Sequence, residues 1–79
     1  MSWNPKVETV EEVIDMYRTN PRCTEVDLFD GGQVKVYPHG SGTKATIYYP
    51  ANNAKGHISY DYYYDADGNF LYSEPHANN

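Results

Sequence analysis

Asp65, Asp67 and Asn69 stand at alternate positions around Gly68, and oxygen ligands at alternate positions are what a calcium loop supplies. The match stops there. An EF-hand loop needs glycine at its sixth position and a bidentate glutamate at its twelfth. Counted from Asp65, glycine falls at the fourth position and His76 at the twelfth. The segment therefore reads as a hairpin turn, in which Asp and Asn tolerate turn geometry and Gly68 supplies a positive φ. His39, His57 and His76 fall in three separate regions without paired spacing, and Cys23 has no second cysteine, so no zinc set is expected. His39-Gly40-Ser41-Gly42-Thr43-Lys44 lacks the spacing of a phosphate-binding loop and leads into a strand rather than a helix. Ser41 and His39, nearly adjacent on a turn, do not make a nucleophilic triad. Cys23 reads as a small apolar residue at a strand start. The expectation is a protein that is not an enzyme, with no catalytic residue, no metal ligand and no cofactor.

The elements that position these residues centre on the tyrosine-loaded stretch 57–72. Alternate side chains of a strand point to opposite faces. Ile58, Tyr60, Tyr62 and Tyr64 thus share one face; His57, Ser59, Asp61, Tyr63 and Asp65 share the other. β-branched and aromatic residues suit a pleated, half-buried surface. Asp65 to Asn69 breaks the pattern and Phe70-Leu71-Tyr72 resumes it, which predicts a hairpin. Tyr62-Tyr63-Tyr64-Asp65-Ala66-Asp67-Gly68-Asn69 resembles one unit of the tyrosine–aspartate repeats that build the shells of Rhs-type toxins. Those shells stack many copies and this chain holds one, so the resemblance implies a hairpin turn and carries over no function.

Upstream, Thr9-Val10-Glu11-Glu12 reads as a helix start with a capping box, and acidic residues in the first turn suit the positive end of the helix dipole. Val10, Val13, Ile14 and Tyr17 form one apolar stripe, and Asn20-Pro21 ends the helix. Strands are predicted over 23–29, 33–38, 43–50, 57–65 and 70–73, with turns at Asp30-Gly31-Gly32 and around Gly40. Trp3 is read as a pin for the N-terminus, and 73–79 as a frayed tail. Short connections force antiparallel neighbours. The predicted fold is therefore α+β: a single small domain over 1–79, with one N-terminal helix (9–20) packed on a five-stranded antiparallel meander.

The covered face would hold Val26, Leu28, Val34, Val36, Ala45, Ile47, Tyr49, Ile58, Tyr60, Tyr62, Phe70 and Tyr72. One helix cannot cover both sides of such a sheet. The other side would present Phe29, Tyr37, Tyr48, Tyr63 and Leu71 among Asp27, Lys35, Lys44 and Asp61. The assignment depends on register, since a one-residue bulge exchanges the faces.

Composition bounds what that face can meet. The chain has 79 residues, nine of them tyrosine and two phenylalanine. A chain this short buries only about 60% of its unfolded surface, so partner burial would help it. Tyrosine combines an apolar ring with a polar tip, the profile of interface positions. The net charge is −5, and no Lys or Arg follows Lys55, whereas Asp61, Asp65, Asp67 and Glu74 do. An acidic C-terminal third weighs against direct nucleic-acid binding and against anionic membranes, and it favours a basic protein partner. The lone Cys23 and the absence of a signal or spanning segment suggest a cytoplasmic location, in a host cell if the gene is phage-borne.

The expected function is that of a small acidic protein-binding module. It would be an inhibitor or antagonist that occludes a site on a larger protein, such as a nucleic-acid-binding one, as anti-CRISPR and anti-restriction proteins do. The residues expected to touch the partner are Phe29, Tyr37, Tyr48, Asp61, Tyr63, Asp65 and Asp67. The alternative is a structural homodimer or an immunity-type protein using the same open face.

Overall fold

Thr9 stands where the helix begins. It adopts an extended backbone, and its Oγ1 accepts the Glu12 N–H at 3.3 Å, which satisfies one of the donors a helix start leaves free. α1 then runs Val10–Thr19 and ends at Asn20, whose N–H donates to the Met16 carbonyl. Asn20 is extended, as the following Pro21 demands. The computed structural model describes residues 6–50, 52, 54 and 56–76. Trp3 lies outside the described residues, as does the end of the predicted tail.

Six strands form one sheet in chain order: β1 (Lys6–Val7), β2 (Glu25–Leu28), β3 (Gln33–His39), β4 (Gly42–Tyr48), β5 (Tyr60–Tyr64) and β6 (Phe70–Pro75). From β2 to β6 each neighbour is antiparallel, the meander that short turns impose. The expected five-stranded, purely antiparallel sheet needs correction. β1 adds a sixth strand parallel to β2, because α1 carries the chain back between them. Two residues are too few to show an alternation, so the sequence pattern missed it. The strand predicted over 57–65 is β5 and begins at Tyr60, not at His57, and β6 runs on through Pro75. Ser73 to Pro75 are therefore strand and not frayed tail, and His76 N–H still donates to the Ser59 carbonyl.

The helix lies over β3 and β4 and sets down Val10, Val13 and Ile14 on Val26, Leu28, Val34, Val36, Ala45, Ile47 and Tyr64. Tyr64 reaches further than the aliphatic residues, and its hydroxyl donates to Glu11 Oε2 at 3.0 Å. Burial, reinforced by that hydrogen bond, raises its pKa. Gly42 lets β4 close on the end of β5, since a Cβ there would collide with the Tyr64 carbonyl. Gly68, at φ +85°, closes the hairpin between β5 and β6, and Arg18 lies across it. Ile58, expected on the covered face, is exposed, because it precedes β5 and the helix does not reach it.

β6 carries a bulge opposite Tyr63 and Tyr64: Tyr63 pairs with Tyr72 and Tyr64 with Phe70, so Leu71 is the extra residue. Phe70 stays on the helix side, against Tyr62 and Tyr64. Tyr72 changes side and joins the face opposite the helix, which corrects its expected place.

Candidate functional site

The face opposite the helix is built in three rows. Register aligns Glu25, Lys35, Thr46, Asp61 and Glu74 across five strands. Beside them runs Tyr37, Lys44, Tyr63 and Tyr72. On the other flank are Asp27, Gln33 and Tyr48.

Asp61 and Tyr63 were expected to face solvent, and each is only 7% exposed. Among the described residues no second layer covers them; their own neighbours do. Thr46 Oγ1 donates to Asp61 Oδ1 at 2.7 Å. His76 Nδ1–H reaches both carboxylate oxygens, at 3.0 and 3.2 Å. Lys44 Nζ stands 3.9 Å from Oδ2. Burial opposes ionisation of Asp61, but the Thr46 hydroxyl, His76 and Lys44 together hold its pKa below the ordinary 3.8. A carboxylate with so many donors is a structural anion at neutral pH.

Tyr63 is enclosed in the same way. Tyr72 stacks on its ring at 4.5 Å and 19°, His39 lies tilted 5.0 Å away, and Lys44 Nζ sits 5.7 Å from its centroid. Its hydroxyl donates to Glu74 Oε1 at 2.9 Å. That bond, then burial, pushes the phenol up to about 12. Lys44 thus touches both buried groups and ties the two rows together.

Tyr37 and Tyr48 share a hydrogen bond between their hydroxyls, which is the first cause of the raised pKa of Tyr48. Register separates the two by the row of Lys35 and Thr46, so that bond spans the middle of the face. Lys35 Nζ lies 5.5 Å from the Tyr48 centroid and 3.8 Å from Glu25. His76 meets Tyr48 edge-on at 5.3 Å.

The other expected contact residues fall elsewhere. Phe29 is exposed in the turn after β2, where its N–H donates to the Val7 carbonyl. Asp65 anchors the β5–β6 hairpin. Its Oδ1 accepts the Asp67 and Asn69 N–H groups, both at 2.9 Å, and its Oδ2 accepts the Asn69 side-chain amide. The Asn69 backbone donor leads the lowering of its pKa. Its ligand oxygens are therefore already engaged by the turn. Asp67 is exposed at the tip. The structure brings Tyr37, Tyr48, Asp61 and Tyr63 onto one face and leaves Phe29, Asp65 and Asp67 at its margins.

Sequence reading missed His76, Tyr72 and Glu74 as members of this face. Counting the hairpin register outward from the turn pairs Asp61 with Ser73, whereas the bulge shifts that count by one and makes Glu74 the partner. Chemically, the Asp61–His76 pair orients an imidazole, yet the one hydroxyl bonded to the pair among the described residues, Thr46, gives its proton to the carboxylate. Among the described residues no three or more His, Cys, Asp or Glu side chains gather as metal ligands. Cys23 is on another part of the molecule, in a cleft of about 370 Å³ with Asp15, Met16, Thr19 and Asn20. Among the described residues no helix is long and apolar enough to cross a membrane.

Compared with protein-family models, with curated proteins and with solved structures, the chain matches none.

Proposed function

We propose that this chain is a small acidic protein-binding module that lays the face opposite its helix on a basic surface of a larger protein and occludes a site there. The observation that carries the reading is the preorganised state of that face. Rings and carboxylates are held by stacking and hydrogen bonds before any partner arrives, so little side-chain entropy remains to be lost on docking. Tyrosines give rigid contact area. Four carboxylates (Glu25, Asp27, Asp61, Glu74) share the face with two ammonium groups (Lys35, Lys44), and both lysines are already paired with a carboxylate and a ring. The remaining field is negative and steers a cationic partner. An inhibitor or antagonist of a nucleic-acid-binding protein fits this chemistry, because such proteins keep basic surfaces for phosphate backbones.

The test is affinity capture with the wild-type chain beside a Tyr37→Ala/Tyr48→Ala double variant, followed by titration of the purified partner. Neither tyrosine belongs to the core beneath the helix, so the variant keeps its circular dichroism spectrum. A partner bound by the wild type and lost by the variant supports the reading. Equal binding by both proteins sinks the face as the contact surface. A wild type that captures nothing and sediments as a dimer favours the structural homodimer instead.

A further inference from the structure

A run of three exposed apolar residues lies not in the middle of the tyrosine face but on the edge strand. Phe70, Leu71 and Tyr72, in succession along β6, are 51%, 56% and 51% exposed. β6 pairs with β5 on one side and, among the described residues, with no strand on the other. An edge of this kind is where a further strand adds.

The direction of its backbone groups follows from register. His76 N–H donates to Ser59 O, which makes 59/76 a hydrogen-bonded pair. Antiparallel pairs alternate between bonded and non-bonded. The pairs 61/74 and 63/72 are then bonded as well, and 62/73 and 60/75 are not. Ser73 therefore points both its N–H and its C=O away from the sheet. Pro75 points outward a carbonyl and no N–H, so proline costs the β5–β6 ladder nothing and marks where an added strand must stop. The bulge at Leu71 marks the other limit.

The side chains beside that backbone specify the occupant. On the open side the edge presents Tyr72 and Glu74; on the helix side it presents Phe70, Ser73 and Pro75. Asp65 and Asp67 stand in the turn at one end. A second copy of the chain would bring a like-charged edge to this one. An incoming strand with cations on one face meets Glu74 and the Tyr72 ring, while apolar residues on its other face meet Phe70.

We propose that β6 accepts an extended, cationic segment of a protein partner as a seventh strand, held by the Ser73 backbone and read by Glu74, Tyr72 and Phe70. This rests on the reading of the chain as a binder of basic protein, and it fails separately from that reading.

The probe is a synthetic peptide alternating arginine and valine, with a glutamate–valine peptide as control, followed by amide exchange and affinity. The arginine peptide is expected to slow exchange of the Ser73 N–H, and the glutamate peptide to leave it unchanged. Ser73→Pro deletes only an outward donor and should weaken binding about tenfold, the worth of one hydrogen bond, whereas Ser73→Ala binds as the wild type. Should Ser73→Pro misfold, an arginine peptide N-methylated at alternate residues performs the same deletion from the other side, and it must fail to bind. Equal affinity for both peptides, or undiminished binding of the methylated peptide, overturns the proposal. So does Ser73 protection that rises with protein concentration alone, because the occupant is then a second copy. Tyr37→Ala/Tyr48→Ala leaves this peptide's binding intact and removes only the face-on contact, so each reading can fail without the other.

Discussion

On the helix side of the sheet, Val13 and Ile14 come down on Val26, Val34 and Ala45, and water leaves because apolar carbon covers apolar carbon. On the other side no layer arrives among the described residues, yet Asp61 and Tyr63 are as buried as Val10, each at 7%. There the cover is made by long neighbours in the same sheet. Lys44 and His76 fold over the carboxylate, and Tyr72, Lys44 and His39 box the ring. The lesson is that a sheet face lacking a second layer is not thereby an exposed one. Side chains of tyrosine and lysine length can roof their own strand partners, provided that every polar group beneath finds a bond. Among the described residues no buried side-chain nitrogen or oxygen lacks a partner.

The comparison breaks first on the helix side. Ile14→Ala removes a side chain only 1% exposed and leaves a cavity between two layers, so urea unfolding should report a loss of about 3 kcal/mol. If the self-roofed face is a true packed layer, Asp61→Asn should follow at about 2 kcal/mol, since it weakens charge-assisted bonds to Thr46 and His76. A cost within experimental error would mean that the roof is only decorative.

Titration sharpens the contrast, because only groups with shifted pKa values respond. Asp61 has a folded pKa below 3.8, so its contribution is present above that pH and is lost as pH falls through the folded value. Acid melting curves of the wild type should drop there, and those of Asp61→Asn should drop less. The phenols give the opposite limb. Tyr63 is raised from 10.0 to about 12 by Glu74 and burial. Tyr49 reaches about 12 by burial and by its bond to Asp30. Raised groups contribute fully below pH 10, and that contribution is lost as pH climbs to about 12. Melting temperature should therefore fall across that alkaline window together with the appearance of phenolate absorbance. The smallest effect belongs to Tyr37→Ala: its side chain is exposed and Tyr48 is its hydrogen-bond partner, so the change should stay within about 0.5 kcal/mol. A larger loss would show that the Tyr37–Tyr48 bond supports the roof.

Much of the molecule was legible from local chemistry. Thr9 and Pro21 bracket the helix by rules that act within a turn or two. Strand alternation placed Val26, Val34, Val36, Ala45, Ile47 and Tyr62 on the helix side, where the core is. Gly31 and Gly68, assigned to turns, do take positive φ. Tyr37, Tyr48, Asp61 and Tyr63 were rightly gathered on the other face. Their exposure was not legible, because it depends on which long side chains lie over them from other strands.

What the sequence determined alone is therefore what backbone sterics and period-two alternation control: one capped helix, the antiparallel meander from β2 to β6, and a face rich in tyrosine. What only the tertiary structure decided is the rest. Val7 finds Leu28 by a parallel contact across the whole helix. One bulged residue, Leu71, sends Tyr72 to the open face. His76 closes on Asp61 across 15 positions of chain. Each of these depends on register between distant segments. Register is set by the sum of many weak side-chain contacts and not by the identity of any one residue.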